Sequence, residues 1–433
     1  MAVPRSWRKA KLWVIHHKET SPVIAAVLTL MSGTGVAQII TFVLQIFIAR
    51  IYSDLDKGLF GVYSTLTGFI ITFAALRFDL TIVLPRKGVV ARVLKKLATR
   101  CVIVSSILTS IFCIVCSKWL ENHYHHSPGL SKWLMLGGIT VFIVAETANV
   151  KYWLIRNAKF GAIALNTIVK SLSVAGMQLL LGIILRGDLS GLIIGTMIGH
   201  LLTLLALTFH APNLRNKLPD DAPSMWHVAK RYWKMPLLNA PNVLVDSVRN
   251  MGVNLLIGAS SIAALGQFQL AWAIMAVPVQ LIADSTSQVF LKKLAGSKPG
   301  QMYPLIKSAV LWVALVASVP FILLFILAPW LFPLVFGQRW ELAGHFGRAI
   351  APWLFMMVLT SPISNVFVVT ENQRRLLIFS IFYCAVPLLF LYLSTMELLM
   401  TTIILGVLMA GMLLVMIGLA VWCALEFDRH APK

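Results

Sequence analysis

The side chains best suited to binding chemistry in this sequence lie between Asn239 and Leu256, in a stretch that reads NAPNVLVDSVRNMGVNLL. The apolar residues around them predict a helix inside a membrane, where a charged residue at the centre costs about 2.5 to 3.5 kcal/mol. Such residues therefore face a bundle interior or a wet cavity. Polar residues recur here at intervals of three and four, close to one helical face: Asn239, Asn242, Asp246, Arg249, Asn250 and Asn254.

Asp246 and Arg249, three residues apart, have two interpretations. One is a structural ion pair that holds neighbouring helices in register. The other is a functional pair, in which Arg249 binds an anionic group in a cavity and Asp246 is its partner when the cavity is empty. Their position about midway through a predicted span favours the functional pair.

The composition indicates a polytopic membrane protein. Of the 433 residues, 58% are hydrophobic and only 12% are charged, which is more apolar sequence than the core of a soluble protein can hide. Apolar runs of about 20 residues recur, and each is long enough to cross a hydrocarbon core of about 30 Å. The longest polar connection, Ala211 to Lys234, is too short to form a soluble domain.

The apolar runs predict an all-α integral membrane protein with about twelve transmembrane helices, in two six-helix bundles around a central cavity. The predicted regions are a basic cytoplasmic segment at 1–22, an N-terminal bundle at 23–210, a cytoplasmic linker at 211–234 and a C-terminal bundle at 235–433. The predicted spans are Val23–Ile48, Leu59–Leu80, Leu97–Cys116, Leu134–Val150, Gly161–Leu185, Gly191–Phe209, Met235–Ile257, Leu265–Val289, Ser308–Trp330, Gly347–Thr370, Leu376–Ser394 and Leu398–Leu425.

A weak internal echo connects the two halves. The turn before the second span reads Gly58-Leu59-Phe60, and the turn before the eighth reads Gly266-Gln267-Phe268. Each follows the first span of its half and a short outer loop. Parallel halves of this kind recur in membrane transporters, with the substrate path between them.

Lysine and arginine residues concentrate in alternate loops. Most of the 37 basic residues lie before the first span, in every second connection and after the last span. Because basic loops stay on the cytoplasmic side, both termini are predicted to be cytoplasmic. The net charge of +21 reflects this placement, and no run of interleaved aromatic and basic residues predicts a nucleic-acid surface.

Enzymatic, metal and redox chemistry are not predicted. The five cysteines lie in or at the ends of apolar runs, and the C-x-x-C of Cys113 and Cys116 lies inside a span, where a thiolate forms poorly. The sequence contains no Walker loop and no large outer loop with an acid, a base and a nucleophile. We therefore expect no cofactor, no metal ion and no catalytic residues.

Ionisable residues in other spans predict a cationic cavity. Lys170 lies about nine residues from the inner end of its span, too deep to reach the interface easily. Arg77 lies nearer the inner face, where it and Asp79 are as compatible with snorkelling as with a cavity role. Together with Arg249, these cations suit an anionic substrate, because arginine binds phosphate oxygens well at low dielectric. Three carboxylates are candidates for charge pairing or ion coupling: Asp79, Asp246 and Asp284.

Five segments, in order along the chain, resemble the Wzx-type polysaccharide flippases of the multidrug/oligosaccharidyl-lipid/polysaccharide exporter superfamily, which carry O-antigen or capsule repeat units. Each segment is degenerate by itself, but the ordered set covers most of the chain. The segments are Ala49–Pro85, Trp153–Phe160 (WLIRNAKF), Lys234–Pro241 (KMPLLNAP), Phe336–Gly344 (FGQRWELAG) and Ser361–Arg375 (SPISNVFVVTENQRR).

The resemblance implies a flippase that moves undecaprenyl-diphosphate-linked oligosaccharide units from the cytoplasmic to the periplasmic leaflet of a bacterial inner membrane. It implies alternating access driven by an ion gradient, a role in polysaccharide or lipopolysaccharide biosynthesis, and a monomer that meets membrane lipid and the polysaccharide polymerase and chain-length proteins. The family's general use of buried charge applies here to Arg77, Asp79, Lys170 and Arg249. Asp246 and Asp284 are chosen from their positions alone.

Three alternatives remain open from the sequence. A multidrug or cation antiporter of the same superfamily would favour an acidic cavity, whereas the deep charges here are balanced or basic. A membrane enzyme of polysaccharide assembly would need longer outer loops. A scaffold that transports nothing would leave the buried charges as structural ion pairs.

Overall fold

The computed structural model describes residues 22–123, 130–214, 218–219, 222–295, 300–370 and 372–429, and every regular element in these ranges is a helix. The all-α prediction is therefore confirmed. Two short 3-10 helices lie at Pro212–Leu214 and Gln338–Trp340. The α-helices are α1 (Pro22–Ile51), α2 (Asp54–Phe73), α3 (Phe78–Thr81), α4 (Gly88–His123), α5 (Leu130–Leu134), α6 (Gly137–Arg156), α7 (Phe160–Ile184), α8 (Leu189–Phe209), α9 (Met225–Tyr232), α10 (Lys234–Ser260), α11 (Ile262–Ala295), α12 (Met302–Phe336), α13 (Glu341–Thr360), α14 (Val366–Val369), α15 (Gln373–Leu393) and α16 (Leu398–Arg429).

Ten helical segments in the described part of the chain are long and apolar enough to cross a membrane, so the protein is a multi-pass membrane protein. They lie at ten of the twelve predicted spans. The other two predicted spans coincide with α2 and α10, which are also long but carry more polar side chains. That these two helices also cross the membrane stays a prediction.

Two predicted spans end earlier than their apolar runs. The second, Leu59–Leu80, stops as a helix at Phe73, and a tight turn follows in which Leu76 and Arg77 have left-handed backbone angles, with φ of 47° and 60°. The tenth, Gly347–Thr370, stops as a helix at Thr360, and a turn that contains Pro362 follows. Hydropathy averaged over a whole span detects neither break, since each turn is short and has apolar residues on both sides.

The helices pack mainly within their own halves of the chain. In the first half, α7 packs against α1 and α8, and α6 packs against α4 and α8; in the second, α13 packs against α11, α12 and α16, and α10 packs against α15. The halves meet where α2 packs against α10 and α11. Two six-helix bundles would produce this pattern, and the bundle boundaries at 23–210 and 235–433 stay predictions.

The carboxylate of Asp428, near the end of α16, caps the start of α12. It accepts hydrogen bonds from the backbone N–H groups of Gly300 (2.8 Å), Met302 (3.1 Å) and Tyr303 (2.9 Å). The first N–H groups of a helix have no partner inside it, so this carboxylate stabilises the start of α12 and connects it to the end of α16.

Replacing Asp428 with alanine is expected to destabilise the fold by about 0.5–2 kcal/mol, the usual cost of a lost helix cap. Thermal unfolding of the purified protein in detergent measures the loss. Asp428→Asn keeps one acceptor oxygen and should lose less. Equal unfolding temperatures for the wild-type protein and the alanine variant would contradict the cap.

Candidate substrate cavity

One end of the interface between the halves is closed by contacts that we call the outer latch. It joins the α1–α2 turn to the α12–α13 turn and to the start of α11. Trp340 is fully buried, and its Nε1 donates to the carbonyl oxygen of Ala49 at 2.7 Å. Arg50 Nη2 donates to the carbonyl oxygen of Val335 at 3.1 Å. The loop charges predict that this end faces the outside.

Two glycines allow the backbones to approach closely in the outer latch. A Cβ at Gly58 would overlap the carbonyl oxygen of Ile262, and a Cβ at Gly266 would overlap that of Asp54. Beside them, Gln267 Nε2 donates to Asp54 Oδ2 at 3.3 Å. The glycines of the sequence echo therefore lie opposite each other, where the two halves touch.

Towards the middle of the protein from the latch, α10, α11 and α13 surround a cavity of about 350 Å³. We call it the aromatic cavity. Amide side chains form part of its wall and aromatic rings another part, and none of the described lining residues is charged. The lining residues are Asn250, Val253, Asn254, Phe268, Gln269, Trp272, Ala273 and Trp353.

A second cavity, of about 210 Å³, adjoins the aromatic cavity. Asn250 and Asn254 line both. Since α2 comes from the first half and α10 from the second, this second cavity lies between the halves. Its other lining residues are Ser64, Thr65, Gly68, Phe69, Thr72, Ser247 and Met251.

Asp246 and Arg249 form an ion pair, with Arg249 Nη1 at 2.9 Å from Asp246 Oδ1. Their surroundings differ: 54% of the Asp246 side chain is exposed, against 9% for Arg249. The guanidinium of Arg249 lies over the ring of Tyr383 in α15, with Cζ 4.4 Å from the ring centroid. In this conformation the carboxylate is therefore the exposed member of the pair.

Lys170 belongs to a group that we call the basic cluster, with Lys151 of α6 and His200 of α8. The helices α6, α7 and α8 pack against one another, and Lys170 lies near enough to Lys151 and to His200 for their charges to interact. Lys170 and Lys151 are exposed. By helix rise, Lys170 lies about 15 Å from the start of α7 and His200 about 14 Å from the end of α8. The sequence argument missed Lys151 and His200, because depth in a span does not reveal which helices are neighbours.

Arg77 and Asp79 flank the start of α3, close enough for their charges to interact with each other and with Tyr152 of α6. Asp79 is buried. Arg77 Nε and Asp79 Oδ1 are buried and have no hydrogen-bond partner among the described residues. Burial of unpaired polar atoms is costly, which makes this turn a candidate for contact with an ion or an anionic group.

Two other acidic residues of the spans are Asp284 and Glu146. Asp284 lies in α11, and its side chain is outside the described residues. Glu146 is buried and pairs with Lys95 at 2.5 Å, with Thr99 and Asn149 donating to the same carboxylate. All four residues of this network lie in the first half, on α4 and α6, so the network connects these two helices.

No group of three or more His, Cys, Asp or Glu side chains in the described part of the chain could hold a metal ion. The cysteines of the predicted spans are free thiols.

The aromatic cavity itself was not predicted from the sequence. Phe268, Gln269 and Trp272 lie within five residues of one another, but aromatic residues at this spacing are usually part of a helix core. Only the packing of α13, which places Trp353 with its ring centroid 4.8 Å from that of Trp272, makes them one wall.

Comparison with solved structures identifies this arrangement. The lipid II flippase MurJ in an inward closed conformation aligns over 93% of this chain and 88% of its own, with a TM-score of 0.71 and 13% identity. An inward-facing multidrug resistance MATE family transporter of the MOP superfamily aligns over 94% and 99%, with a TM-score of 0.68 and 13% identity. A MOP superfamily transporter from Pyrococcus furiosus aligns over 94% and 95%, with a TM-score of 0.56 and 14% identity.

Sequence comparison points to the same group of proteins. No curated protein matches the chain at a significant level. The sequence model of a family described as polysaccharide biosynthesis protein matches residues 47–344, which is more than half of the chain. The match confirms the resemblance seen in the sequence, and the chain has the fold of the MOP superfamily transporters. The chain therefore belongs to this polysaccharide biosynthesis family.

Proposed function

We propose that the protein is a flippase that moves undecaprenyl-diphosphate-linked oligosaccharide units from the cytoplasmic to the periplasmic leaflet by alternating access. The observation that carries this proposal is a polar cavity between the halves, closed at the predicted outer end by the outer latch. A lipid-linked sugar has a polar head that needs such a cavity and a chain that stays in the membrane.

The deep charges supply the groups that a diphosphate needs. Lys170, in the basic cluster, and Arg77, at the break after α2, are the proposed phosphate-binding residues of the first half, and Arg249 is that of the second. Asp79, Asp246 and Asp284 are proposed for charge pairing or for coupling to a proton or sodium gradient. A cation buried at low dielectric binds phosphate oxygens more strongly than one in water.

The proposed function also implies a location, an oligomeric state and partner proteins. The protein would lie in the bacterial inner membrane as a monomer, with both termini cytoplasmic, and would supply repeat units for O-antigen lipopolysaccharide or capsule. The polymerase and chain-length proteins of that pathway would be its partners. The predicted basic segment 1–22 lies outside the described residues, apart from Pro22 at the start of α1.

A cation or multidrug antiporter is the second candidate, and one observation favours it. Asp246 is the exposed member of its pair, and an exposed carboxylate suits an organic cation. The basic cluster argues against this candidate, because its positive charge would repel such a ligand.

Reconstitution into liposomes tests the proposal. We expect movement of an undecaprenyl-diphosphate-linked glycan between leaflets, faster with a proton or sodium gradient than without one. A cationic dye in the same liposomes gives the second candidate its own readout. Dye movement without glycan movement would replace the flippase with an antiporter, and movement of neither would leave a membrane enzyme or scaffold.

A further inference from the structure

We propose that the aromatic cavity binds a neutral sugar ring at the head of the transported lipid and so sets which glycan is carried. This inference rests on the proposed flippase function. It assigns a separate site to the sugar, distinct from the charged residues proposed for the diphosphate.

The aromatic part of the cavity is held in place by its own contacts. Trp353 is buried, and its Nε1 donates to the hydroxyl of Tyr383 at 2.7 Å. The ring of Trp272 lies at 60° to that of Trp353, and Phe268 packs on Trp272 with 6.1 Å between centroids. A ring fixed in this way loses little conformational freedom when a ligand stacks on it.

The amide part is also held in place. Asn254 Nδ2 donates to the backbone carbonyl of Asn250 at 2.8 Å, and Gln269 Nε2 donates to Asn254 Oδ1 at 3.1 Å. These bonds use both ends of the Asn254 amide but only the nitrogen of the Gln269 amide. Asn250 is exposed, and its amide nitrogen donates to no described residue. Donors and acceptors therefore remain for a ligand.

A pyranose ring matches both parts of this wall. Its faces carry C–H groups with partial positive charge, which favour the negative face of an aromatic ring. Its edge carries hydroxyl groups that both donate and accept, as an amide side chain does. The volume of about 350 Å³ is within the usual range of small-molecule sites, and the uncharged lining favours a neutral sugar over an acidic one.

The position of the cavity fits the order in which such a lipid would enter. Asn254 lies about 9 Å from the outer end of α10, whereas Lys170 lies about 21 Å from the outer end of α7. By this measure Asn254, in the wall of the aromatic cavity, lies about 12 Å closer to the outer end of its helix than Lys170 does to the outer end of α7. A head group entering from the cytoplasmic side would bring its sugar to the aromatic cavity and leave its diphosphate near the basic cluster.

Binding of two probes to the purified full-length protein tests the assignment. The probes are undecaprenyl diphosphate and undecaprenyl diphosphate carrying a neutral hexose trisaccharide, measured by microscale thermophoresis in detergent. We expect the wild-type protein to bind the glycan-bearing probe roughly tenfold more tightly, because each added hydrogen bond contributes about 0.5–1.5 kcal/mol.

Single-residue variants test whether the tighter binding of the glycan-bearing probe comes from the aromatic cavity. Trp272→Ala should remove the gain and leave binding of the bare diphosphate unchanged. Asn250→Ala should also remove the gain, measured as the ratio of the two affinities, because Asn250 Oδ1 accepts a hydrogen bond from Arg249 at 3.5 Å and its loss would affect both probes. Lys170→Ala should weaken both probes equally. Trp312→Ala is the matched control, because Trp312 is 64% exposed on α12 and is not among the residues that line the cavity. Asn250 is exposed, so its variant keeps the test valid even if Trp272→Ala unfolds the protein.

Three alternative results would contradict the proposals. Equal binding of the two probes by the wild-type protein would overturn the sugar site and leave the flippase proposal standing. A gain that survives in both cavity variants would overturn it too. Binding of neither probe would overturn the flippase proposal itself and the sugar site with it.

Discussion

Placing alanine at Gly58 or Gly266 is expected to slow transport strongly by disfavouring closure of the outer latch. In each case the added Cβ would overlap a backbone carbonyl oxygen of the opposite half, that of Ile262 or that of Asp54. A backbone oxygen cannot swing aside as a long side chain can, so the halves must separate. Overpacking of this kind costs about 1–3 kcal/mol, and about 1.4 kcal/mol already lowers the population of the closed state tenfold.

Alternating access requires both states, so we expect glycan movement in liposomes to fall at least roughly tenfold in either variant. The change of shape is measurable separately, by spin labels at Leu55 and Leu334 after replacement of the five native cysteines. Both sites are exposed near the latch, and their separation should increase. Gly35→Ala is the control, because a Cβ there would meet no atom within 4 Å. Unchanged distance and transport in both latch variants would mean that the latch does not gate.

The membrane spans were predictable because they depend on local composition. A run of about 20 apolar residues has few alternatives to a membrane helix. The ion pair between Asp246 and Arg249 was predictable for the same reason, since residues three apart share a helical face. The glycine echo at Gly58 and Gly266 was visible in the sequence as well, although its meaning depends on contact between the halves.

Features that depend on packing between distant helices were not predictable. The aromatic cavity needs Trp272 of α11 beside Trp353 of α13, about eighty residues apart in sequence. The residues near Lys170 were not predictable either, because Lys151 and His200 belong to two other helices. The position of the Arg249 guanidinium over the Tyr383 ring could not be predicted either. Sequence periodicity gives the face of a helix on which a residue lies, but not the rotamer of a long side chain.

The largest effect of a single substitution is expected at Arg249. If this arginine leaves Asp246 to bind the diphosphate, Arg249→Met removes two charge-assisted hydrogen bonds of about 1.5 kcal/mol each, and transport should fall roughly 100-fold. Asp246→Asn should be much milder, because the guanidinium keeps its place over the Tyr383 ring. Arg348→Met is the matched control: Arg348 also lies over an aromatic ring, that of Phe325, but is not among the residues assigned to the site.

The double variant Asp246→Asn with Arg249→Met decides between the two interpretations of the pair. A purely structural ion pair would make the single variants unstable, and removing both charges would restore stability and transport together, because no unpaired charge remains buried. A phosphate-binding arginine predicts the opposite, a double variant that folds normally and transports no faster than Arg249→Met alone. Thermal unfolding and glycan movement, measured on the same four proteins, separate these outcomes. Recovery of transport in the double variant would assign Arg249 to helix packing and leave Arg77 and the basic cluster as the proposed phosphate-binding groups.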